Sequence, residues 1–270
     1  MSYQFLIVER RGPVEHVTLN RPDVRNAFNE HVIADLTAWA KAAHQDSSLR
    51  VVVIAGAGKV FSAGADAAWM AKMAGATRDD NLRDATAGAE MFLAINTIPA
   101  IVIGRIHGAA LGGGSGLAAV CDIVVADAAA IFGFTETKLG ILPAMISPYV
   151  LQKIGASAAR ELFLTGMRFD AARAMEIGLV HDVVPLASLD EAVAKYVNES
   201  LSASPTAAAR AKALIPRVLG RPPAEVIAIT AEAIADQRVS AEGQEGLTAF
   251  LDKRRPSWTV TGGKEHVTGD

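Results

Sequence analysis

A glycine-rich stretch, RIHGAALGGGSGL at 105–117, constrains the fold of this chain more than any other feature. It follows an apolar, β-branched run at 98–103 and precedes a run at 117–121 that suits a helix. Its three successive glycines lack Cβ atoms, so a ligand can approach their backbone closely. The first N–H groups of a helix have no partner within it, and they bind oxygens that are, or become, negative. The stretch is therefore either half of an oxyanion hole or a tight strand-to-helix turn without a ligand.

Composition narrows the class of protein. The chain has 270 residues, of which 51% are hydrophobic, so it can bury a substantial core. Its net charge of -3 argues against a nucleic-acid partner, because nucleic-acid binders usually present a basic face. The single cysteine, Cys121, excludes an intrachain disulfide and suits a reducing, cytoplasmic location. The opening residues do not read as a signal peptide, and Asp122 and Asp127 interrupt the longest weakly charged run, so no membrane span is expected.

The order of predicted elements favours an α/β fold with mostly parallel strands, because strands and helices alternate in the first half. The predicted strands there are 5–9, 16–20, 51–54, 98–103, 123–126 and 130–133. The predicted helices are 30–45 with Asn29 as its N-cap, one capped by Asp66, and 79–95. From 143 onward the pattern is mainly helical, with one short strand at 179–184. We expect a core at 1–202, a helical region at 203–258 and a mobile tail at 259–270.

Few side chains stand out as catalytic by motif alone. Ser115 lies in GGSG, one residue short of a nucleophile elbow, so a hydrolase using Ser115, His107 and Asp122 is a weak alternative. His31 and Asp35 could share a helix face, but no third metal ligand is apparent nearby, and we expect no metal. The sequence contains neither the glycine pattern of a phosphate-binding P-loop nor that of a dinucleotide-binding fold.

The remaining candidates for a functional site are two glycine-containing loops, each followed by a helix. They are FSAGAD at 61–66 and LGGGSG at 111–116. One backbone N–H from each could converge on a single oxygen, which suits a thioester enolate because charge develops on that oxygen. The same chemistry needs a carboxylate near C2 and C3 to move protons.

The chain resembles the enoyl-CoA hydratase/isomerase family, also called the crotonase superfamily, over residues 14–258. The resemblance rests on six motifs: LNRPDVRNAFN at 19–29, FSAGAD at 61–66, HGAALGGGSGLAAVCDIVVA at 107–126, FTETKLGILP at 134–143, LTGMRFDAARAMEIGLV at 164–180 and FLDKRRPSW at 250–258. It implies a spiral of β-β-α turns and a C-terminal helical region that packs in trimers, often paired into hexamers. It also implies an acyl-CoA thioester substrate, with coenzyme A as part of the substrate and no separate cofactor.

The resemblance also implies roles for particular residues. The backbone N–H groups of Ala65 and Gly113 match the family's two oxyanion donors. The loop around Arg25 to Ala27 and the backbone of 62–66, including Ala63, Ala65 and Asp66, match the region that holds the nucleotide end of CoA. Arg25 would meet a phosphate there, or would be an ordinary solvated loop arginine.

One position departs from the pattern of many hydratases in this family, which use two glutamates. The second matches Glu136, but Gly116 stands where the first would be. Glu136 could serve an isomerase, moving a proton between C2 and C4, or a hydratase, activating water for C3. The space at Gly116 could then hold that water or part of a branched acyl group.

Closer similarity favours a hydratase. The stretches at 61–75 and 134–151 are similar to bacterial methylglutaconyl-CoA and carboxygeranoyl-CoA hydratases of leucine and acyclic terpene breakdown. Trp69, Met70 and Met73 would shape the acyl pocket. Lys138 would meet a substrate carboxylate if its segment were strand-like, and would otherwise be solvated. Phe250, Lys253 and Arg254 match a region that, in relatives, reaches a neighbouring subunit's CoA site. The non-enzymatic alternative for the whole chain is a scaffold that binds CoA or RNA.

Overall fold

The protein is described here from a computed structural model that covers residues 3–259. The chain divides into two compact units between Val197 and Asn198. The tail predicted at 259–270 lies outside the described residues, except for Thr259. Within residues 3–259, no helix is both long enough and apolar enough to cross a membrane.

The first unit contains two sheets, which confirm the α/β prediction. The strands among residues 3–259 are β1 Leu6–Arg11, β2 Val14–Leu19, β3 Val51–Gly56, β4 Ile101–Ile106, β5 Ala109–Leu111, β6 Ile123–Asp127, β7 Ile131–Gly133, β8 Arg168–Asp170 and β9 Asp182–Val184. The larger sheet has the order β1-β2-β3-β4-β6-β9, and all its pairs are parallel except β1 with β2. The smaller sheet has the order β5-β7-β8.

Helices cover the sheets and supply most of the second unit. They are α1 Glu30–Gln45, α2 Ala67–Ala74, α3 Arg78–Asn96, α4 Gly113–Val120, α5 Ser147–Thr165, α6 Ala171–Glu176, α7 Leu189–Ser202, α8 Pro205–Val218, α9 Pro223–Val239 and α10 Ala241–Leu251. The helix starts predicted from capping residues are confirmed, because Asn29 accepts from the N–H of Val32 and Asp66 accepts from Ala68 and Trp69. Strand β3 is buried on both faces, as expected for a covered parallel sheet.

Several predicted elements begin at other residues, among them the strand predicted at 179–184, which covers only Asp182–Val184. The strand predicted at 98–103 runs instead from Ile101, because Ile98 still bonds back to the carbonyl of Ile95 and Pro99 has no N–H for a ladder. The helix predicted at 117–121 begins four residues earlier, at Gly113. Gly112 has a φ of 50° there, a conformation that glycine adopts without the strain of a side chain.

In the second unit, α8 to α10 are tied together by polar contacts. Glu242 of α10 accepts hydrogen bonds from the backbone N–H of Thr206 at 2.9 Å and from its hydroxyl at 2.8 Å. The indole N–H of Trp258 donates to the carbonyl of Ser202 at 3.1 Å. These bonds join the start of α10 to the start of α8, and the segment after α10 to the last residue of α7.

Candidate active site

The first glycine loop, 61–66, is joined to strand β5 by backbone hydrogen bonds. Ser62 donates to the carbonyl of Ala109 at 3.0 Å, and its own carbonyl accepts from Leu111 at 3.0 Å. Ser62 thus pairs with Ala110 as in a parallel sheet. Because β5 leads directly into the second glycine loop, these bonds hold the two loops side by side.

The other side of the first loop is paired with Phe28. The N–H of Phe28 donates to Gly64 at 2.7 Å, and its carbonyl accepts from Asp66 at 2.8 Å. In such a parallel bridge the residue between Gly64 and Asp66 turns its own N–H away from the partner strand. That residue is Ala65, whose N–H therefore points toward the side on which the second loop lies.

Glycine is required where the two loops meet. Gly64 has a φ of 90°, and a Cβ there would lie 2.7 Å from the carbonyl oxygen of Leu111. A Cβ at Gly112 would lie 3.2 Å from Oε1 of Glu136. The loops and the glutamate are therefore in mutual contact, and side chains at either glycine would separate them.

Gly113 supplies the second free N–H. It is the first residue of α4, and the preceding Gly112 offers no side-chain cap. Neither Gly113 nor Ala65 donates its backbone N–H in any hydrogen bond found within the described part of the chain. The positive end of the α4 dipole adds to the attraction of this position for a negative oxygen.

Glu136 begins a single 3₁₀ turn, Glu136–Leu139, that follows strand β7 of the smaller sheet. Its Oε2 is buried and has no hydrogen-bond partner in the described chain. Burial raises the pKa of Glu136, and only a bond from its own backbone N–H opposes the rise. A carboxylate of raised pKa with one buried oxygen left unbonded is suited to accept and return a proton.

These groups line one cavity of about 540 Å³. It brings together Ala65, Gly113 and Glu136 with Trp69, Met70 and Met73, the residues predicted for the acyl pocket. Lining residues that the sequence did not single out are Phe28, Ile33, Asn81, Asp84, Met91, Phe92, Met145 and Ile146, with the exposed lip Leu139, Ile141 and Leu142. Most of them carry no motif, and they meet at the cavity only through the packing of α1, α3 and the segment after Glu136.

The structure corrects the prediction for Lys138. Its segment is a 3₁₀ turn rather than a strand, so residues two apart lie on different faces. The Lys138 side chain is exposed and packs against Gly166, where a Cβ would lie 3.0 Å from its Cγ. Lys138 is absent from the described lining of the cavity, so the solvated alternative holds.

The expected space at Gly116 is also absent. A Cβ at this position would lie 2.1 Å from Cγ2 and 2.8 Å from Cβ of Ile146. Both residues are buried, and Phe92 closes the same spot at 3.4 Å. Ile146 therefore occupies the room that a glutamate side chain would need, and neither water nor an acyl branch fits there.

The residues matched to CoA binding lie along the outer edge of the first loop. Arg25 is exposed, in a left-handed conformation, and its carbonyl accepts from Ala63 at 2.9 Å. Ala27 is buried. Both carboxylate oxygens of Asp66 are already engaged, one capping α2 and the other paired with Arg21 at 2.9 Å. The side chain of Asp66 thus holds the loop in place and is not available to a ligand.

The weak hydrolase alternative is not supported. The Ser115 hydroxyl is buried and donates to the carbonyls of Ala110 at 2.6 Å and Gly133 at 3.2 Å. His107 bonds to the carbonyl of Gly58, and the carboxylate of Asp122 accepts from Val102. Each of the three side chains serves a separate backbone contact, so they do not form a triad.

The C-terminal residues matched to a neighbour's site all follow or end α10. Phe250 is exposed, and Lys253 has a φ of 54°. Arg254 forms two hydrogen bonds of 2.8 Å with Glu245, which lowers the pKa of that carboxyl to about 2. Arg254 is thus held by a partner within its own unit.

Comparison with known proteins gives a consistent result. The sequence profile described as Enoyl-CoA hydratase/isomerase matches residues 9–261. A solved enoyl-CoA hydratase from Shewanella pealeana is 38% identical, with a TM-score of 0.91 over 94% of this chain and 96% of that one. The 2,3-dehydroadipyl-CoA hydratase of Escherichia coli is 33% identical over 94% of this chain and 98% of its own length. The short-chain-enoyl-CoA hydratase of Clostridium acetobutylicum is 31% identical over 94% of this chain and 97% of its own length. The agreement with solved structures confirms the predicted fold.

Proposed function

Since this chain belongs to the enoyl-CoA hydratase/isomerase family, we propose that it adds water across the C2–C3 double bond of a 2-enoyl-CoA thioester. The observation that carries the proposal is Glu136, whose buried Oε2 has no hydrogen-bond partner in the described chain and which lies in one cavity with two free N–H groups. The reaction moves only protons and water, so it needs no cofactor beyond the CoA of the substrate.

The two N–H groups would act on the thioester oxygen. When a nucleophile bonds to C3, the π electrons of the double bond shift toward the carbonyl, and an enolate oxygen forms. Ala65 and Gly113 offer that oxygen two donors already oriented by the loops. Losing one such donor typically lowers a rate by about 100- to 1000-fold.

Glu136 would make both proton transfers. As a carboxylate it takes a proton from water while the water oxygen bonds to C3 and the enolate forms. As a carboxylic acid it then returns a proton to C2, and the carbonyl is restored. The sum is one water added, and the glutamate ends in the state in which it began. Its raised pKa supports this double role, because it brings the two protonation states closer in free energy at neutral pH.

Isomerisation of a 3-enoyl-CoA to a 2-enoyl-CoA is the second candidate. A single catalytic glutamate favours this reaction. Position 116, where many hydratases of the family have their other glutamate, is Gly116 here, and Ile146 fills the space that a side chain would need. One carboxylate suffices to carry a proton between C4 and C2. The full-length relatives named as hydratases favour hydration.

Steady-state assays with two substrates separate these reactions. A 2-enoyl-CoA should lose its conjugated thioester absorbance as water adds. A 3-enoyl-CoA should show no gain in the absorbance of a conjugated thioester. Gain on the second substrate without loss on the first would make the protein an isomerase, and activity on neither would overturn both candidates.

The pH dependence of hydration should reveal Glu136. Because burial raises its pKa, the carboxylate becomes protonated at a higher pH than an ordinary glutamate as the solution is acidified. We therefore expect kcat/KM for a 2-enoyl-CoA to fall on the acid side through one ionisation whose midpoint lies above the usual glutamate range. A midpoint at or below that range, or a two-proton slope, would contradict the assignment.

The branched, methylglutaconyl-like substrate suggested by the sequence motifs remains one candidate within this activity. We also propose a homotrimer or a hexamer of two trimers. In support, the second unit exposes large apolar side chains: Ile215, Leu219, Ile227, Val239, Phe250 and Leu251. A cytoplasmic location is likewise a proposal, supported by the single, reduced and buried Cys121.

A further inference from the structure

One wall of the cavity carries a carboxylate that the proposed mechanism does not use. Asp84 lies on α3, is half-buried, and lines the same cavity as Glu136. Its Oδ1 accepts a hydrogen bond from the indole N–H of Trp69 at 3.1 Å. Burial raises the pKa of Asp84 and the nearby Glu30 carboxylate adds to the rise, while the hydrogen bond from Trp69 and the nearby Lys72 ammonium oppose it. The wall is therefore a poorly hydrated place in which a further negative charge is unfavourable.

The described residues that line the cavity include no cation that could offset this charge. Among the described lining residues, Asp84 and Glu136 are the ionisable groups, and the lining contains neither lysine, arginine nor histidine. Lys72 is near Asp84, but its ammonium lies 2.7 Å from Glu30, so the two charges offset each other. The remaining lining is almost entirely apolar.

The hydrogen-bond donors beside Asp84 are also engaged. Trp69 directs its N–H to Asp84 itself. The side-chain amide of Asn81 donates to the carbonyls of Met73, Ala76 and Thr77. A substrate carboxylate in this part of the cavity would thus meet a like charge without a free donor to replace its hydration.

We propose that Asp84 is a specificity-determining residue that selects the acyl group by charge. The cavity accepts 2-enoyl groups with a neutral, apolar end, and rejects those whose far end carries a carboxylate. This inference rests on the proposed hydration and narrows its substrate class. It favours a neutral acyl chain over a methylglutaconyl-like acid, and it separates this chain from its relative named for 2,3-dehydroadipyl-CoA.

The test uses a pair of six-carbon substrates that differ only at C6. One is trans-2-hexenoyl-CoA, which ends in a methyl group, and the other is 2,3-dehydroadipyl-CoA, which ends in a carboxylate. We expect the wild type to favour the neutral substrate in kcat/KM on the order of ten- to hundredfold, the size of a like-charge repulsion in a partly buried site. Equal values, or a preference for the acid, would overturn the proposal.

A matched pair of variants assigns the preference to Asp84. Asp84→Asn keeps the shape and the oxygen that Trp69 bonds but removes the charge, so we expect the preference for hexenoyl-CoA over dehydroadipyl-CoA to fall by about tenfold. Glu90→Gln removes one exposed charge from the same helix outside the cavity lining, and should leave the preference unchanged. An Asp84→Asn variant with the wild-type preference would refute the role of Asp84.

A binding measurement keeps this test independent of turnover. The dissociation constants of saturated hexanoyl-CoA and adipyl-CoA, measured by calorimetry, should differ in the same direction and converge in Asp84→Asn. If neither enoyl-CoA were hydrated, the proposed function would be wrong. The ratio of the two dissociation constants would then still show whether the cavity selects against a carboxylate. If both were hydrated and bound equally well, the selection alone would fail.

Discussion

Replacing Glu136 by glutamine should lower the rate of 2-enoyl-CoA hydration by about 1000-fold or more. A single acid–base group typically contributes about 100- to 10,000-fold, and here one group serves both transfers. The amide cannot take a proton from water, and no second carboxylate at position 116 can substitute for it. The measurement is kcat/KM for hexenoyl-CoA in the wild type and the variant.

The loss should occur without loss of the fold. Because burial raises the pKa of Glu136, its ionised form is disfavoured in the folded state, and stability is lost as the pH rises through that pKa. The glutamine variant lacks this penalty, so its unfolding temperature at neutral pH should equal or exceed that of the wild type. This difference in unfolding temperature between the variant and the wild type should vanish in acid, where the wild-type carboxyl is protonated in both the folded and the unfolded state.

The control for this variant is Glu90→Gln, which changes the same functional group on an exposed helix face. It should retain wild-type activity. Hexanoyl-CoA should bind to Glu136→Gln about as tightly as to the wild type, because the variant alters proton transfer rather than the cavity. Hydration by Glu136→Gln at the wild-type rate would remove Glu136 from the mechanism.

Restoring a glutamate at position 116 should damage the protein rather than improve it. The first side-chain atom added there would lie 2.1 Å from Ile146. Overfilling a well-packed core costs about 1–3 kcal/mol, and an unpaired buried carboxylate adds to that cost. We expect Gly116→Ala to lower the free energy of unfolding by about 1–3 kcal/mol, and Gly116→Glu to lower it further without raising the hydration rate.

A double-mutant cycle connects this effect to Ile146. Ile146→Ala alone should be destabilising because it leaves a cavity. Combined with Gly116→Ala it makes room for the added methyl group, so the pair should be less destabilised than the sum of the single changes by about 1 kcal/mol or more. Denaturant unfolding measures all four proteins. Strict additivity, or a stable Gly116→Glu variant that hydrates faster, would contradict the packing described here.

Local signals explain what the sequence predicted well. The caps at Asn29 and Asp66 act on N–H groups two or three residues away, so the starts of α1 and α2 follow from nearby residues. The glycine loops are local as well, because Gly64 and Gly112 adopt backbone conformations that favour glycine. The position of Glu136 relied on its motif and on resemblance, and the structure brings it to the same cavity as both loops.

Contacts between distant residues account for what the sequence did not predict. The room at Gly116 is closed by Ile146, thirty positions later, and no periodicity in either segment indicates that contact. Whether Lys138 shares a face with Glu136 depends on the local conformation, which the residues alone left open between strand and helix, and the segment turns as a 3₁₀ helix. Asp84 carried no motif, and its place in the cavity depends on how α3 packs beside α2.

The most direct test of the central claim is to follow trans-2-hexenoyl-CoA in deuterium oxide with the wild type and with Glu136→Gln. Nuclear magnetic resonance of the product reports both the hydroxyl group and the site of deuterium. The wild type should form 3-hydroxyhexanoyl-CoA with one deuterium at C2, and the variant should form it about 1000-fold more slowly. A product without a hydroxyl group, in which the double bond has moved to C3–C4 and C2 carries the deuterium, would contradict hydration through Glu136, and so would equal rates in the two proteins.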